Sequence, residues 1–225
     1  MKVIVTGTTG MVGEGVLIEC LAHPEITEIL SVSRRPSNIL HPKLKEYIVS
    51  DFLLLKPDDE KLQGFDACFF CAGISSVGMK EPEYTRITYD TTLNFAKALN
   101  PNATMTFIYI SGAGTDSSEK GRLMWARVKG KTENDLMKLP FKRVFAFRPG
   151  LMKYTKGQKR IIRLNKIMNG LYPFFRVLFP NVAGTITELG QAMIYATQHG
   201  YEKKVLEVKD IRLLSKNAVI KNETN

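Results

Sequence analysis

Three short stretches carry residues whose types and spacing can do chemistry. The first is VTGTTGMVGEG at residues 5–15, where Gly7, Gly10 and Gly13 recur every three positions. They follow a strand-like run, and the apolar helix pattern MVGEGVLIECL begins inside the motif. The glycines have separate physical roles: a tight turn, a backbone close enough for a pyrophosphate, and a close helix-to-strand contact. The helix N-terminus adds a preference for negative charge. Gly7, Thr9, Gly10, Met11, Val12 and Gly13 are therefore expected to cradle a dinucleotide. The second stretch is SVSRRPS, at the end of the second strand-like run. A NAD-specific site places a carboxylate there to hold the ribose 2′-hydroxyl. This chain offers Ser33, Arg34 and Arg35 instead. An arginine pairs bidentately with a 2′-phosphate and a serine donates to one, so NADP (NADPH) is the expected dinucleotide and NAD the less favoured. The alternative is a pair of solvated surface arginines. The third stretch, GRLMWARVKGK, holds the sole tryptophan, Trp125, one helical turn before Lys129 and on the same face. An indole N–H donates a hydrogen bond but does not give up its proton. The alternative is an amphipathic helix that buries its aromatic residue.

The elements that must position these groups alternate along the chain. VIVTG, EILSVS, KEYIVS, ACFFCAG, MTFIYISG and RVFAFRPG are short runs rich in β-branched and aromatic residues, and helix-like patterns separate most of them. Near-continuous apolar strands suit a parallel sheet covered on both faces, which gives an α/β fold of Rossmann type, a doubly wound parallel sheet. With 225 residues, 44% hydrophobic and 24% charged, the chain fits one soluble domain. We expect one domain over residues 1–216, including a small lid over 151–186, and a polar, frayed tail over 217–225. No apolar run approaches the roughly 20 residues of a membrane-spanning helix. MKVIVTG enters a strand at once, without the pattern of a secretory signal, and a cytoplasmic protein is expected. Cys20, Cys68 and Cys71 are too few for a disulfide scaffold. The two cysteines of CFFC lie three apart on a strand, on opposite faces, which suits buried thiols and no metal site.

The net charge of +10 is largely local. Residues 151–180 carry Lys153, Lys156, Lys159, Arg160, Arg163, Lys166 and Arg176 with no acidic residue. Elsewhere the charges mix, and no nucleic-acid-binding signature appears, so no nucleic-acid partner is expected. On helical spacing Lys156, Lys159, Arg163 and Lys166 share one face and Ile161, Leu164 and Met168 the other, followed by YPFFRVLF. Such a helix, within 153–179, could lie on an anionic membrane, but a lid over the substrate pocket is preferred because the segment follows Pro149-Gly150.

With these residues in hand, the chain resembles the atypical NAD(P)-binding branch of the short-chain dehydrogenase/reductase superfamily, similar to the epimerase/dehydratase-like and Tat-interacting-protein-like members. The resemblance covers nearly the whole chain. It implies that the aspartate of Asp51-Phe52 meets the adenine, that Cys71-Ala72-Gly73 lines the dinucleotide, and that Pro149-Gly150 lies beside the nicotinamide. It also implies catalytic roles for Ser111 at the substrate oxygen and for Lys129 at the nicotinamide ribose, with Trp125 lining the same pocket. Two departures stand out. The family's Tyr-x-x-x-Lys is here Trp125-x-x-x-Lys129, and Thr88 stands where many relatives carry an asparagine that supports the lysine. In the family the tyrosine, with an ordinary pKa of about 10 lowered by the lysine, moves the proton. Ser111, Asp116, Ser117, Glu119, Tyr89 and Tyr154 are candidates to replace it, although Asp116 or Ser117 could cap the next helix and Tyr89 could be buried in its own. Two functions remain open: an oxidoreductase or epimerase acting on a small carbonyl or alcohol, and a dinucleotide-binding sensor or regulatory protein without turnover. The sequence carries no signal for oligomeric state.

Overall fold

The protein is described by a computed structural model over residues 1–57, 59–160 and 182–224. All six strand-like runs form strands: β1 (Lys2–Thr6), β2 (Glu28–Ser33), β3 (Leu44–Ile48), β4 (Ala67–Phe70), β5 (Thr106–Ile110) and β6 (Arg143–Arg148). A short ribbon, β7 (Leu151–Lys153) with β8 (Ala183–Thr185), stands apart, and β9 (Val205–Glu207) joins the main sheet as a seventh strand. The order is β3-β2-β1-β4-β5-β6-β9, with every pair parallel. This is the expected Rossmann-type α/β architecture. The chain reverses its direction of winding between β1 and β4, and ligands of such sheets bind outside the carboxyl ends of the strands at that switch point.

Period-two alternation divides the strands between two core layers. On one side Val3, Val5, Ile29, Phe69, Phe145 and Phe147 pack against α1 (Met11–Ala22) and α5 (Ile186–His199). On the other, Ile4, Leu30, Phe70, Phe107 and Tyr109 pack with α3 (Thr91–Ala98) and the C-terminal turn of α4 (Met124–Leu136). The same alternation separates the CFFC thiols, with Cys68 in the second layer and Cys71 packed against the first. Helix α2 (Glu81–Thr85) continues through a π-helical turn at Arg86–Asp90 into α3. Thr185 and Glu188 form a reciprocal capping box at the start of α5.

Two expectations change. The polar end does not fray at residue 217, because it belongs to α6, which runs from Val208 to Thr224. Leu214 and Ser215 anchor that helix in buried surroundings, Ser215 donating to Gln191 of α5. The other concerns 151–186, of which the described parts make the β7–β8 ribbon and a strap at 155–160. Arg163, Lys166, Ile161, Leu164 and Met168 lie outside the described residues, and with them most of the expected amphipathic face and its membrane contact. Among the described residues no helix is long and apolar enough to cross a membrane.

Candidate active site

The glycine loop shows which of its glycines the fold needs. Gly7 has φ +69°, and a Cβ there would stand 2.7 Å from the Cys71 carbonyl oxygen. A Cβ on Gly13 would stand 2.2 Å from the Gly7 carbonyl, so the close approach of α1 to the loop excludes any side chain. Gly10 differs. Its backbone is extended (φ −109°), a conformation any residue adopts, and a Cβ would meet nothing closer than the Gly7 oxygen at 3.4 Å. Gly10 is also the N-cap of α1 and gives that helix no side-chain cap. The protein itself does not require a glycine there; a pyrophosphate drawn to an uncapped helix N-terminus would. The residues present thus fit a dinucleotide.

Neighbouring strand ends are tied to this loop. The Thr6 hydroxyl oxygen accepts from the backbone N–H groups of both Cys71 and Ala72 at 3.1 Å, and the Thr8 and Ser31 hydroxyls pair at 2.7 Å. Burial pushes the Cys71 thiol well above its ordinary value, which suits packing rather than nucleophilic chemistry. Gly73 opens onto space, and a Cβ there would meet nothing within 4 Å. Asp51 caps the 3₁₀ turn Phe52–Leu54 by accepting from the Leu53 N–H at 2.9 Å. The Phe52 side chain, next to the aspartate that the resemblance puts at the adenine, is buried, with its ring 4.9 Å from Phe95 and 6.4 Å from Phe70. Only its main chain is left for a ligand.

At the end of β2, Arg34 and Arg35 are exposed. Ser33 corrects its expected role, since it is buried and its hydroxyl donates to the Arg35 carbonyl at 2.6 Å; it shapes the turn instead of facing a phosphate. Sequence spacing misses a third arginine. The strap at 155–160 latches onto the first turns of α1: the backbone N–H groups of Lys159 and Arg160 donate to the buried Glu14 carboxylate at 3.1 and 2.7 Å, and Gln158 donates to the Met11 carbonyl at 2.6 Å. The Arg160 guanidinium then donates to the carbonyls of Thr9 (3.3 Å) and Ser37 (3.4 Å). These belong to the loops after β1 and after β2.

Ser111 follows β5 directly; its N–H and its hydroxyl both donate to the Phe147 carbonyl, at 2.9 and 3.2 Å. Lys129, on α4, donates to the Ser111 carbonyl and stands 6.0 Å from the Tyr109 ring centre. Burial pushes its ammonium down to about 8, against the pull of Glu133 one turn further on. Trp125 lines the same side of α4, its ring within 3.5 Å of where a Gly114 Cβ would be. A Cβ on Gly130 would stand 1.8 Å from the Asp116 carbonyl, so α4 packs flush on the loop after β5. Behind Lys129, Arg148 donates to both oxygens of the fully buried Glu133 carboxylate and to Glu207 at 3.2 Å. Pro149 accepts from the Ala113 N–H at 2.9 Å. A Cβ on Gly150 would stand 2.1 Å from the Val182 carbonyl, so that glycine admits the chain entering β8.

The remaining candidates, Tyr154 apart, are spent elsewhere. Asp116 accepts from Ser118 and from the Gly121 N–H, which hold its carboxyl below the usual range and brace its own loop; the N-cap of α4 is Leu123, so neither Asp116 nor Ser117 caps it. Ser117 accepts from Arg148, and Glu119 from Asn134. Tyr89 donates to Asp135 at 2.7 Å instead of being buried in its own helix. Thr88 is buried in the π turn, which packs against α4. Tyr154 precedes the strap and is half-buried. A cleft of about 540 Å³ bordered by Tyr47, Val49, Leu54, Lys56 and Asp59 includes none of the reacting groups.

No protein-family model matches the chain. Among solved structures it is similar to "MoeE5 in complex with UDP-glucose and NAD", with a TM-score of 0.65 at 15% identity, covering 96% of this chain and 81% of that one. It is similar to a UDP-galactose 4-epimerase with a TM-score of 0.64 at 15% identity, covering 92% and 75%. The fold is the Rossmann-type α/β fold that these solved structures share. Curated relatives include "Protein fmp52, mitochondrial" of Emericella nidulans, 29% identical over 166 residues, which are 71% of this chain and 70% of the relative. "Protein fmp52-2, mitochondrial" of Neosartorya fischeri is 24% identical over 228 residues, covering 95% of both. Both relatives are named as mitochondrial proteins, which overturns the cytoplasmic expectation. That expectation rested on the absence of a secretory signal, which does not distinguish the two compartments.

Proposed function

We propose that the chain is an NADP-binding oxidoreductase, or an epimerase that borrows a hydride, acting on a small carbonyl or alcohol. The observation that carries this is the pairing of two features across one sheet edge: a glycine loop whose Gly10 the fold does not need, and a half-buried Lys129 held at the Ser111 carbonyl. The solved neighbours include complexes titled with NAD and UDP-sugars, which supports a dinucleotide and a small polar substrate. Thr9 to Gly13 would hold the pyrophosphate, with Gly7, Asp51, Cys71, Ala72 and Gly73 lining the adenosine side, Arg34 and Arg35 meeting a 2′-phosphate, and Lys129, Pro149 and Gly150 at the nicotinamide end. A bound nicotinamide would supply the hydride transfer.

The chain's own residues must then move a proton. Trp125 cannot supply it, because an indole donates a hydrogen bond and keeps its proton. Lys129 can: an ammonium lowered to about 8 is protonated at neutral pH yet close enough to release, which is the range a general acid needs. Ser111 would turn its hydroxyl from the Phe147 carbonyl to the substrate oxygen. The test is NADPH consumption with a panel of aldehydes, ketones and quinones, wild type against Lys129→Met. A second function, a dinucleotide-binding protein without turnover, is favoured by Trp125 in the tyrosine's place. Tight NADPH binding with no consumption across the panel would select it.

A further inference from the structure

We propose that Arg160, carried by the strap rather than by the sheet, binds the 2′-phosphate of the dinucleotide and makes NADP selectivity a property of the latched strap. This rests on the NADP reading above and adds to Arg34 and Arg35 a third arginine at the phosphate. The adenosine ribose of a dinucleotide in this fold sits between the loop after β1 and the loop after β2. Arg160 donates to one carbonyl in each, Thr9 at 3.3 Å and Ser37 at 3.4 Å, so its guanidinium spans that gap. A guanidinium has five N–H donors in a fixed fork, and these two carbonyls leave three of them for a phosphate.

The placement is held from below. Glu14 is buried in the first turn of α1, and its two carboxylate oxygens receive the backbone N–H groups of Lys159 and Arg160. Gln158 fixes the other side of the turn, accepting from the Thr155 N–H at 2.5 Å while donating to Met11. The Arg160 backbone is thus fixed directly on the helix whose N-terminus would face the pyrophosphate. Arg34 and Arg35 stand exposed in the same β2 loop, but Ser33, the other expected phosphate donor, is occupied by the Arg35 carbonyl. That leaves a place for a donor from outside the sheet, and Arg160 is the residue there.

The experiment is calorimetric titration of the full chain with NADPH, NADH and 2′,5′-ADP, in wild type, Arg160→Gln and Arg160→Lys, with thermal unfolding to confirm each variant's fold. Charge-assisted pairing to a phosphate predicts that Arg160→Gln loses about tenfold or more in affinity for NADPH and 2′,5′-ADP and less than about twofold for NADH. Arg160→Lys, which keeps the charge without the fork, should lose a smaller factor on the same two ligands only. Equal losses on NADPH and NADH would overturn the assignment, as would no loss on either in a folded variant. If wild type binds NADH as tightly as NADPH, the NADP reading itself falls. If wild type prefers NADPH and Arg160→Gln and Arg160→Lys keep the preference, only the role of Arg160 falls.

Discussion

Replacing Lys129 by methionine should make stability less dependent on pH, by an amount the site fixes. The Lys129 ammonium is held at about 8 against an ordinary 10.5, because the folded chain buries it. Between those values the unfolded chain binds the proton more tightly than the folded one, so this group's contribution to stability rises with pH across the window. Below about 8 the full penalty applies, and at about 1.36 kcal/mol per tenfold change in proton affinity it comes to about 3 kcal/mol. The methionine removes that penalty but also takes a donor from the Ser111 carbonyl, which costs about 1–3 kcal/mol, so the net change at pH 7 is small. The pH dependence is cleaner, because terms that do not titrate cancel in the difference. Relative to Lys129→Met, wild type should gain about 2.5 kcal/mol between pH 7 and pH 10. Urea unfolding of both proteins at several pH values measures it. A difference that stays flat from pH 7 to 10 would refute both the buried ammonium and its use as an acid near neutrality.

Turnover by an ammonium acid at about 8 should fall as pH rises through that value, and the kcat/KM profile of any substrate found will show it. Trp125→Tyr restores a phenol beside Lys129, and carbonyl reduction should rise by about 10² to 10⁴; a folded, NADPH-binding variant with no gain on any carbonyl would sink the idea. Gly10→Ala should leave the melting temperature nearly unchanged, since its Cβ meets only the Gly7 oxygen at 3.4 Å, while dinucleotide affinity drops; Gly13→Ala, with a contact at 2.2 Å, should cost about 3 kcal/mol or more. Arg148→Met strands the buried Glu133 carboxylate and should cost about 3–5 kcal/mol by denaturant titration, although Arg148 touches no proposed ligand.

Much of the fold is legible in the chain because a parallel sheet buried on both faces demands unbroken apolar strands, and β1, β2, β4, β5 and β6 each supply one. Strand β9 escapes notice: VLE is three residues long, and pairing with β6, Ala146 opposite Val205, makes it a strand. The glycine loop can be recognised by residue type, yet only the three-dimensional packing separates Gly10, which the fold can spare, from Gly7 and Gly13, which it cannot. Lys129 is legible by position but not by acidity, because burial beside Tyr109 sets the latter. Phe52 misleads because a loop aromatic next to an expected binding aspartate folds back into the core. Arg160 has no sequence signal at all: 151 residues separate it from Thr9, and its basic neighbours disguise it.

At residues 159 and 160 Glu14 grips the strap by its main chain, since it takes their amide hydrogens and ignores their side chains. Any residue except proline can offer those hydrogens. Position 160 is therefore free to vary over evolutionary time while the latch endures, and a lineage can exchange one side chain there without rebuilding the fold. Glu14 has no such liberty, because its carboxylate, like the Gln158 side chain that donates to the Met11 carbonyl, is a part of the clasp that is chemically specified.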